Sequence, residues 1–244
     1  MNSFFPPKAH FPLTLTIRRV VDLSHVITSN IPCWEGDPPV EFETVAEIEK
    51  DGYFLRRFSL GEHSATHINA PNSFHSTGMS IDAYPADSFV VPAIAINIRH
   101  AVANDPNYRL SIANVLLWEQ QFGQIQPRNL VLLNTGWQSF WSDSNAFFNY
   151  DSSGNYHFPG FSLEVTEFLL RERQIAGVGI DTHGIDGSDS TFASNRLMLE
   201  SPHLVLENLT NLDQLPPVGA VLVIGVLRLQ GGSGSPAAVT ALLP

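Results

Sequence analysis

Short apolar segments rich in β-branched residues recur along the whole chain, and Pro, Gly, Asn or Asp bounds each of them. Segments of this length are typical of buried strands, because a helix of similar burial needs about ten or more residues. Strands are predicted at Leu13 to Leu23, Val40 to Ile48, Tyr53 to Leu60, Phe89 to Ile98, Asn129 to Asn134, Gly177 to Ile180 and Ala220 to Leu227. The sequence therefore has to fold around a β-sheet.

Two segments have helical periodicity instead. Ser111 is placed to cap a helix that runs to about Phe122, and Ser162 to cap a second helix that runs through Leu169. A Ser side chain at this position accepts a hydrogen bond from a free N–H group of the first turn. Each helix is followed by one of the predicted strands. This order predicts an α/β fold in which strands outnumber helices.

The 244-residue chain has no segment that resembles an interdomain linker, since its 17 Gly and 17 Pro are spread along the sequence. We expect a single domain over residues 1–244, with residues 1–19 as an N-terminal extension. The 43% hydrophobic content is sufficient for a sizeable core.

The charge balance argues against two classes of partner. The chain has 24 acidic residues and 13 Lys plus Arg, a net charge of −11, whereas nucleic acids and anionic membranes bind clustered basic residues. The longest apolar run, Val218 to Leu227, is too short to span a bilayer. The N-terminus lacks the apolar run of a signal peptide, and the single Cys33 is compatible with a reducing compartment. A cytoplasmic protein is expected.

Two irregular segments interrupt the predicted strands and helices. Residues 139–160 are rich in Asn, Ser, Asp and aromatic residues, and a loop of this length is usually functional, as a lid or an oligomer contact. Residues 181–195 follow a buried strand, and such loops often carry the chemistry of α/β proteins.

Histidine is the titratable residue type with the most informative spacing. His63, His67 and Asn69 lie within seven residues, and on a strand their side chains project to one face because side chains repeat every two residues. Two imidazoles and an oxygen ligand from a distant carboxylate could bind a divalent metal such as zinc or manganese. The alternative is that these histidines cap loops or hydrogen-bond within the core.

The same segment resembles the signature H-x-G-T-H-x-D-x-P-x-H-F of the cyclase family of metal-dependent hydrolases, which includes bacterial kynurenine formamidases and isatin hydrolases. Residues 63–74 read HSATHINAPNSF. Further family landmarks occur before and after this motif, in the same order as in the family. They are DLS at 22–24, IPCWEGDP at 31–38, NTGW at 134–137, PG at 159–160, GIDT at 179–182 and LENL at 206–209.

Three positions of the site depart from the family pattern. Asn69 replaces the aspartate, Ser73 the third histidine, and Asn195 a later histidine, whereas Glu207 is retained. Each change removes charge or basicity, so a two-metal centre is not expected. The resemblance implies that His63, His67, Asn69 and Glu207 hold at most one zinc or manganese ion per chain, or none.

The resemblance implies a swivelling β/β/α-type fold and a hydrolase that cleaves a C–N bond of a small amide, aryl formamide or cyclic amide. His75, His183 and Ser73 are the candidates for catalysis. Trp34, Phe74 and Trp137 are the candidates for contact with a flat small-molecule substrate, although core packing is an equal alternative for Trp137. The family also implies a homodimer or homotetramer.

Two other functions remain open at this point. The altered site is compatible with a metal-free or non-catalytic protein that keeps the fold as a small-molecule binder or a structural oligomer. A serine hydrolase that uses Ser73 with His75 is disfavoured, because residues two apart rarely form a triad and no G-x-S-x-G motif is present.

Overall fold

The computed structural model describes residues 16–34 and 36–244. Most of the expected N-terminal extension and the beginning of the strand predicted from Leu13 lie outside this range. The described residues form twelve strands. These are β1 (Arg19–Asp22), β2 (Glu41–Ala46), β3 (Leu55–Ser59), β4 (His67–Asn69), β5 (Val90–Asn97), β6 (Arg109–Leu110), β7 (Leu130–Asn134), β8 (Gly160–Phe161), β9 (Gly177–Ile180), β10 (Leu204–Glu207), β11 (Ala220–Val226) and β12 (Gly234–Leu243).

Six α-helices connect the strands in the described part of the chain. They are α1 (Ile48–Asp51), α2 (Arg99–Val102), α3 (Ile112–Phe122), α4 (Ser144–Phe148), α5 (Leu163–Arg173) and α6 (Ala193–Met198). Both predicted caps are confirmed, because Ser111 accepts a hydrogen bond from the backbone N–H of Asn114 and Ser162 from that of Val165. No helix among residues 16–34 and 36–244 is long and apolar enough to cross a membrane.

Seven strands form a closed barrel in the order β12, β11, β5, β7, β9, β10 and β4, and β4 pairs back to β12. The four central strands β5, β7, β9 and β10 are parallel, and β1 adds to the outside of β12. The strand-rich α/β class predicted from the sequence is therefore confirmed.

Burial on both faces explains why the central strands are continuous apolar runs. In β7, Leu130 and Leu132 pack into the barrel interior, whereas Val131 and Leu133 pack beneath α3 and α5. A strand that is covered on both faces has no polar alternation. This is the sequence pattern that predicted β5, β7, β9 and β11.

Strands β10 and β12 were not predicted. The ten residues of β12 read GSPAAVTALL, and Gly, Pro and Ala have low strand propensity. The barrel nevertheless requires this strand, because β12 pairs with β1, β11 and β4. Tertiary pairing thus overrides the local preference.

Strands β2 and β3 form a separate two-stranded hairpin, which we call the arm (residues 41–59). Six large apolar side chains of the arm expose between 47% and 62% of their surface, namely Val45, Ile48, Tyr53, Phe54, Leu55 and Phe58. A two-stranded hairpin is marginally stable by itself in water, and this one presents an unusually apolar surface.

Candidate functional site

A pocket of about 250 Å³ lies beside the ends of β4 and β10. Its floor is polar and includes His63, His67, Asn69, Asn195 and Glu207. Its walls are aromatic and come from the segments before the arm, after β4, around α4 and directly before α6. These wall residues are Trp34, Phe74, Phe148 and Phe192. A mostly apolar pocket with a few convergent polar groups is the usual form of a small-molecule site.

His67 and Glu207 occupy paired positions on the antiparallel strands β4 and β10. The two side chains are buried, and His67 Nε2 lies 3.1 Å from Glu207 Oε2. Burial opposes ionisation of Glu207, yet the pKa of its carboxyl group is lowered because His67, Asn195 and Asn69 direct polar atoms at it. Glu207 Oε1 accepts hydrogen bonds from Ile185 N–H and Asn195 Nδ2.

His63 reaches the same pocket from outside the strand. Strand β4 begins only at His67, because Ala65 adopts a left-handed conformation with φ of +53°. His63 and Asn69 thus do not share one strand, but the turn still places His63 Nδ1 2.8 Å from Asn69 Oδ1. Burial and the neighbouring His67 lower the pKa of His63.

A buried network fixes the amide orientations of Asn195 and Asn69. Asn195 Nδ2 donates to Asp186 Oδ2 at 2.8 Å and to Glu207 Oε1 at 3.1 Å. Both amide protons of Asn195 are thus used, and its Oδ1 accepts from Asn69 Nδ2 at 3.3 Å. Asn69 therefore presents its oxygen, and not its amide protons, to His63.

Asp186 holds Asn195 in place from the other side. Its carboxylate also accepts hydrogen bonds from the backbone N–H groups of Ser194 and Asn195, at the beginning of α6. Burial raises the pKa of Asp186 to about 6. Asp186 was not among the predicted site residues, although it lies in the loop of residues 181–195 that follows a buried strand, three residues after His183.

The donor chemistry of the floor fits one divalent cation. His67 Nδ1 lies 2.9 Å from the carbonyl oxygen of Ala65, which can only accept, so this nitrogen carries a proton and Nε2 faces Glu207. The contact between His67 Nε2 and the Glu207 carboxylate is attractive only if the ring carries a second proton or if a cation lies in front of both Nε2 and Oε2. Two ligand atoms at about 2.1 Å from one metal lie about 3 Å apart, as His67 Nε2 and Glu207 Oε2 do.

The same chemistry does not fit two cations. Within the described residues, no three His, Cys, Asp or Glu side chains form a group that could hold a metal ion by themselves. A metal beside His67 and Glu207 therefore depends on neutral donors such as Asn69 Oδ1. Glu207 is the carboxylate that contacts His67, and one carboxylate balances too little charge for a dinuclear centre.

His183 lies in a box of five aromatic rings at centroid distances of 3.9 to 5.7 Å, formed by Trp34, Phe147, Phe148, Tyr156 and Phe158. Both of its ring nitrogens are buried and lack a hydrogen-bond partner among the described residues. Burial lowers the pKa of His183 to about 3, so the ring is neutral near pH 7.

The loop of residues 139–160 supplies four of the five rings around His183. It contains the short helix α4, which Asp143 caps by accepting hydrogen bonds from Asn145 and Ala146. Trp137 is buried in the core and does not line the pocket, but its Nε1 donates to the carbonyl oxygen of Phe147 at 2.8 Å. Trp137 thus supports the aromatic box from behind.

The other predicted site residues occupy different positions. Ser73 lines the pocket but donates its hydroxyl to the carbonyl oxygen of Ala70 at 2.6 Å. His75 lies outside the pocket lining, where its Nε2 contacts the carbonyl oxygen of Arg196 at 2.9 Å. Since each side chain bonds to a separate backbone carbonyl, Ser73 and His75 do not form a nucleophile–base pair.

Comparisons with known proteins identify relatives of this chain. The profile of a family described as "Putative cyclase" matches residues 21–187. The isatin hydrolase of Roseibium aggregatum is 31% identical over 244 residues, with 92% of each chain covered. The solved structure of isatin hydrolase A from Ralstonia solanacearum has a TM-score of 0.89 and 31% identity, covering 93% of this chain and 92% of that chain. The kynurenine formamidase of Salinibacter ruber is 25% identical over 228 residues, covering 89% of this chain and 94% of the relative.

Proposed function

This chain belongs to the cyclase family, and on that premise we propose that it is a hydrolase that cleaves the C–N bond of a small aryl formamide or cyclic amide with the help of one zinc or manganese ion. The observation that carries the proposal is the buried pair of His67 and Glu207, whose Nε2 and Oε2 atoms lie 3.1 Å apart at the floor of an aromatic pocket.

His67, Glu207 and Asn69 would hold the metal, with His63 as the fourth donor. A divalent metal in such a site polarises a substrate carbonyl and lowers the pKa of water toward neutrality. The polypeptide contributes the orientation of these donors. Ala65 fixes His67 through its carbonyl oxygen, and Asn195 fixes both Glu207 and Asn69.

The aromatic walls favour a flat substrate. The cavity volume of about 250 Å³ is slightly below the roughly 300–1,000 Å³ of most ligand pockets. This volume suits a substrate with one small fused or substituted ring system. His183 can donate or accept one hydrogen bond from within the aromatic box. Because its pKa is about 3, we assign it to substrate binding and not to proton uptake.

The proposal is tested by assaying hydrolysis of isatin and N-formylkynurenine after removal of metal with a chelator and after addition of Zn²⁺ or Mn²⁺. We expect turnover only with added metal, and we expect His67→Ala to reduce it to the background rate. His100→Ala is the matched control, since His100 is exposed on α2 and lies outside the pocket. Undiminished turnover by the chelated protein or by His67→Ala would contradict the proposal.

A non-catalytic binding protein is the second candidate. Asn69, Ser73 and Asn195 all replace ionisable residues of the family pattern with neutral ones, which favours binding over turnover. Calorimetric titration with isatin distinguishes the two functions. Binding without hydrolysis, at every metal concentration tested, would support the second candidate.

A further inference from the structure

We propose that Glu62 and Ser233 are positioning residues that keep the ring proton of His63 on Nε2. The lone pair of Nδ1 is then directed at the pocket floor, where it is free to bind a metal. The use of this donor for a metal rests on the proposed function, whereas the proton position does not. Neither Glu62 nor Ser233 lines the pocket, and they would act through His63.

The hydroxyl of Ser233 determines where the proton of His63 lies. Ser233 Oγ is 2.7 Å from Glu62 Oε2 and 3.0 Å from His63 Nε2, and the backbone N–H of Ser233 donates to the same Glu62 oxygen at 2.7 Å. A hydroxyl has one proton to donate, and a carboxylate oxygen can only accept. The Ser233 proton is therefore directed to Glu62, and Ser233 Oγ accepts a proton from His63 Nε2.

The opposite side of the ring then carries a lone pair. His63 Nδ1 faces Asn69 Oδ1 at 2.8 Å, and the network through Asn195 keeps this oxygen turned toward the ring. With the proton held on Nε2, two acceptor atoms face each other. This repeats the arrangement of His67 Nε2 and Glu207 Oε2. Four atoms that can serve as metal ligands therefore lie at the pocket floor, in two pairs.

Closure of the barrel places Ser233 beside His63. Ser233 directly precedes β12, whose first residue, Gly234, pairs with Asn69 on β4. A Cβ atom at Gly234 would lie 2.7 Å from His63 Cε1 and 2.6 Å from the carbonyl oxygen of Ile68. Only glycine permits this approach, so the β12–β4 pairing fixes the contact between residues 170 positions apart.

The experiment is a long-range ¹H–¹⁵N correlation spectrum of the histidine rings, recorded without metal and assigned with His63→Asn. We expect the Nε2–H tautomer in the parent and in Ser233→Thr, which keeps the hydroxyl. Glu62→Ala releases the Ser233 proton to donate to His63 Nε2, so we expect a shift toward the Nδ1–H tautomer. A residue with only a structural role would not produce this reversal.

Zn²⁺ affinity measured by calorimetry is the second readout. We expect Ser233→Ala and Glu62→Ala to weaken Zn²⁺ binding by about 10- to 100-fold, and Ser233→Thr to restore it. Ser139→Ala, at an exposed hydroxyl bonded to Gly136, is the control. An Nδ1–H tautomer in the parent, or a tautomer unaffected by Glu62→Ala, would overturn the proposal. Failure of the parent to bind Zn²⁺ or to hydrolyse amides would overturn the proposed function and leave the tautomer result standing.

Discussion

His67 and Glu207 lie directly opposite each other on adjacent antiparallel strands, with Nε2 and Oε2 3.1 Å apart and both side chains buried. Cross-strand neighbours at paired positions have Cβ atoms about 4.5–5.5 Å apart, so the strand register alone brings the imidazole and the carboxylate into contact. The floor of the site is therefore part of the barrel wall, and its geometry is as rigid as the β4–β10 pairing.

Replacing Asn69 with Asp is expected to strengthen metal binding. The change adds a second carboxylate near Glu207, and like charges in a buried site repel until a cation neutralises them. We expect Asn69→Asp to lower the melting temperature of the metal-free protein and to tighten Zn²⁺ binding about tenfold or more. Scanning fluorimetry with and without Zn²⁺ measures both effects. Asn97→Asp, at the exposed end of β5, is the control and should show neither.

Replacing His183 with Phe is expected to stabilise the fold and impair substrate binding. Both ring nitrogens of His183 are buried and find no hydrogen-bond partner within residues 16–34 and 36–244, and each unsatisfied polar group costs about 1–3 kcal/mol. We expect the free energy of unfolding, measured with urea, to rise by about 1 kcal/mol. The rise is at the low end of that range because the larger phenyl ring has to be accommodated in the aromatic box. The KM for the substrate should rise at the same time. A variant that is less stable and equally active would contradict this role.

The ion pair between Glu119 on α3 and Arg173 at the end of α5 should make stability depend on pH. Two hydrogen bonds of 2.7 and 2.9 Å from Arg173 lower the pKa of Glu119 from its ordinary value. A lowered carboxyl pKa stabilises the fold above the unfolded-state pKa, and this contribution disappears as pH falls through the folded-state pKa. We expect Glu119→Gln to cost about 1–2 kcal/mol at pH 7 and progressively less as the pH falls through the lowered pKa.

Urea unfolding curves at pH 7 and pH 3 test this dependence. The control is Glu167→Gln, which removes the exposed i,i+4 pair with Arg171 at 3.0 Å. Exposed pairs contribute little, so this variant should match the parent at both pH values. A constant difference between parent and Glu119→Gln across the pH range would contradict the assignment.

The arm provides a test of the expected homodimer or homotetramer. Phe54 exposes 58% of its surface at the tip of the arm, and a charge there should prevent burial against a second copy. We expect light scattering to give a multiple of 26.9 kDa for the parent and a smaller assembly for Phe54→Asp. Leu117→Asp, at an exposed position of α3, should leave the mass unchanged. A monomeric parent would contradict the expectation.

The local sequence was sufficient to predict those strands and helices whose apolar pattern or capping residue lies within or next to the element itself. Strands β7 and β9 were predictable because burial on both faces leaves uninterrupted apolar runs, and α3 and α5 because Ser111 and Ser162 cap the helices that follow them. The histidine motif was predictable for the same reason, since His63, His67 and Asn69 lie within one short segment. Glu207 was identified by family resemblance and not by spacing.

The remaining features depend on contacts between distant residues. The small residues of β12 give no local indication of a strand, yet β12 closes the barrel and brings Ser233 to His63 across 170 positions. The aromatic box keeps the buried His183 ring neutral, and no local sequence pattern encodes this state. The sequence by itself thus determined the fold class and the residue types of the site. Only the tertiary structure decided which nitrogen and oxygen atoms face each other, because strand register and barrel closure set those contacts.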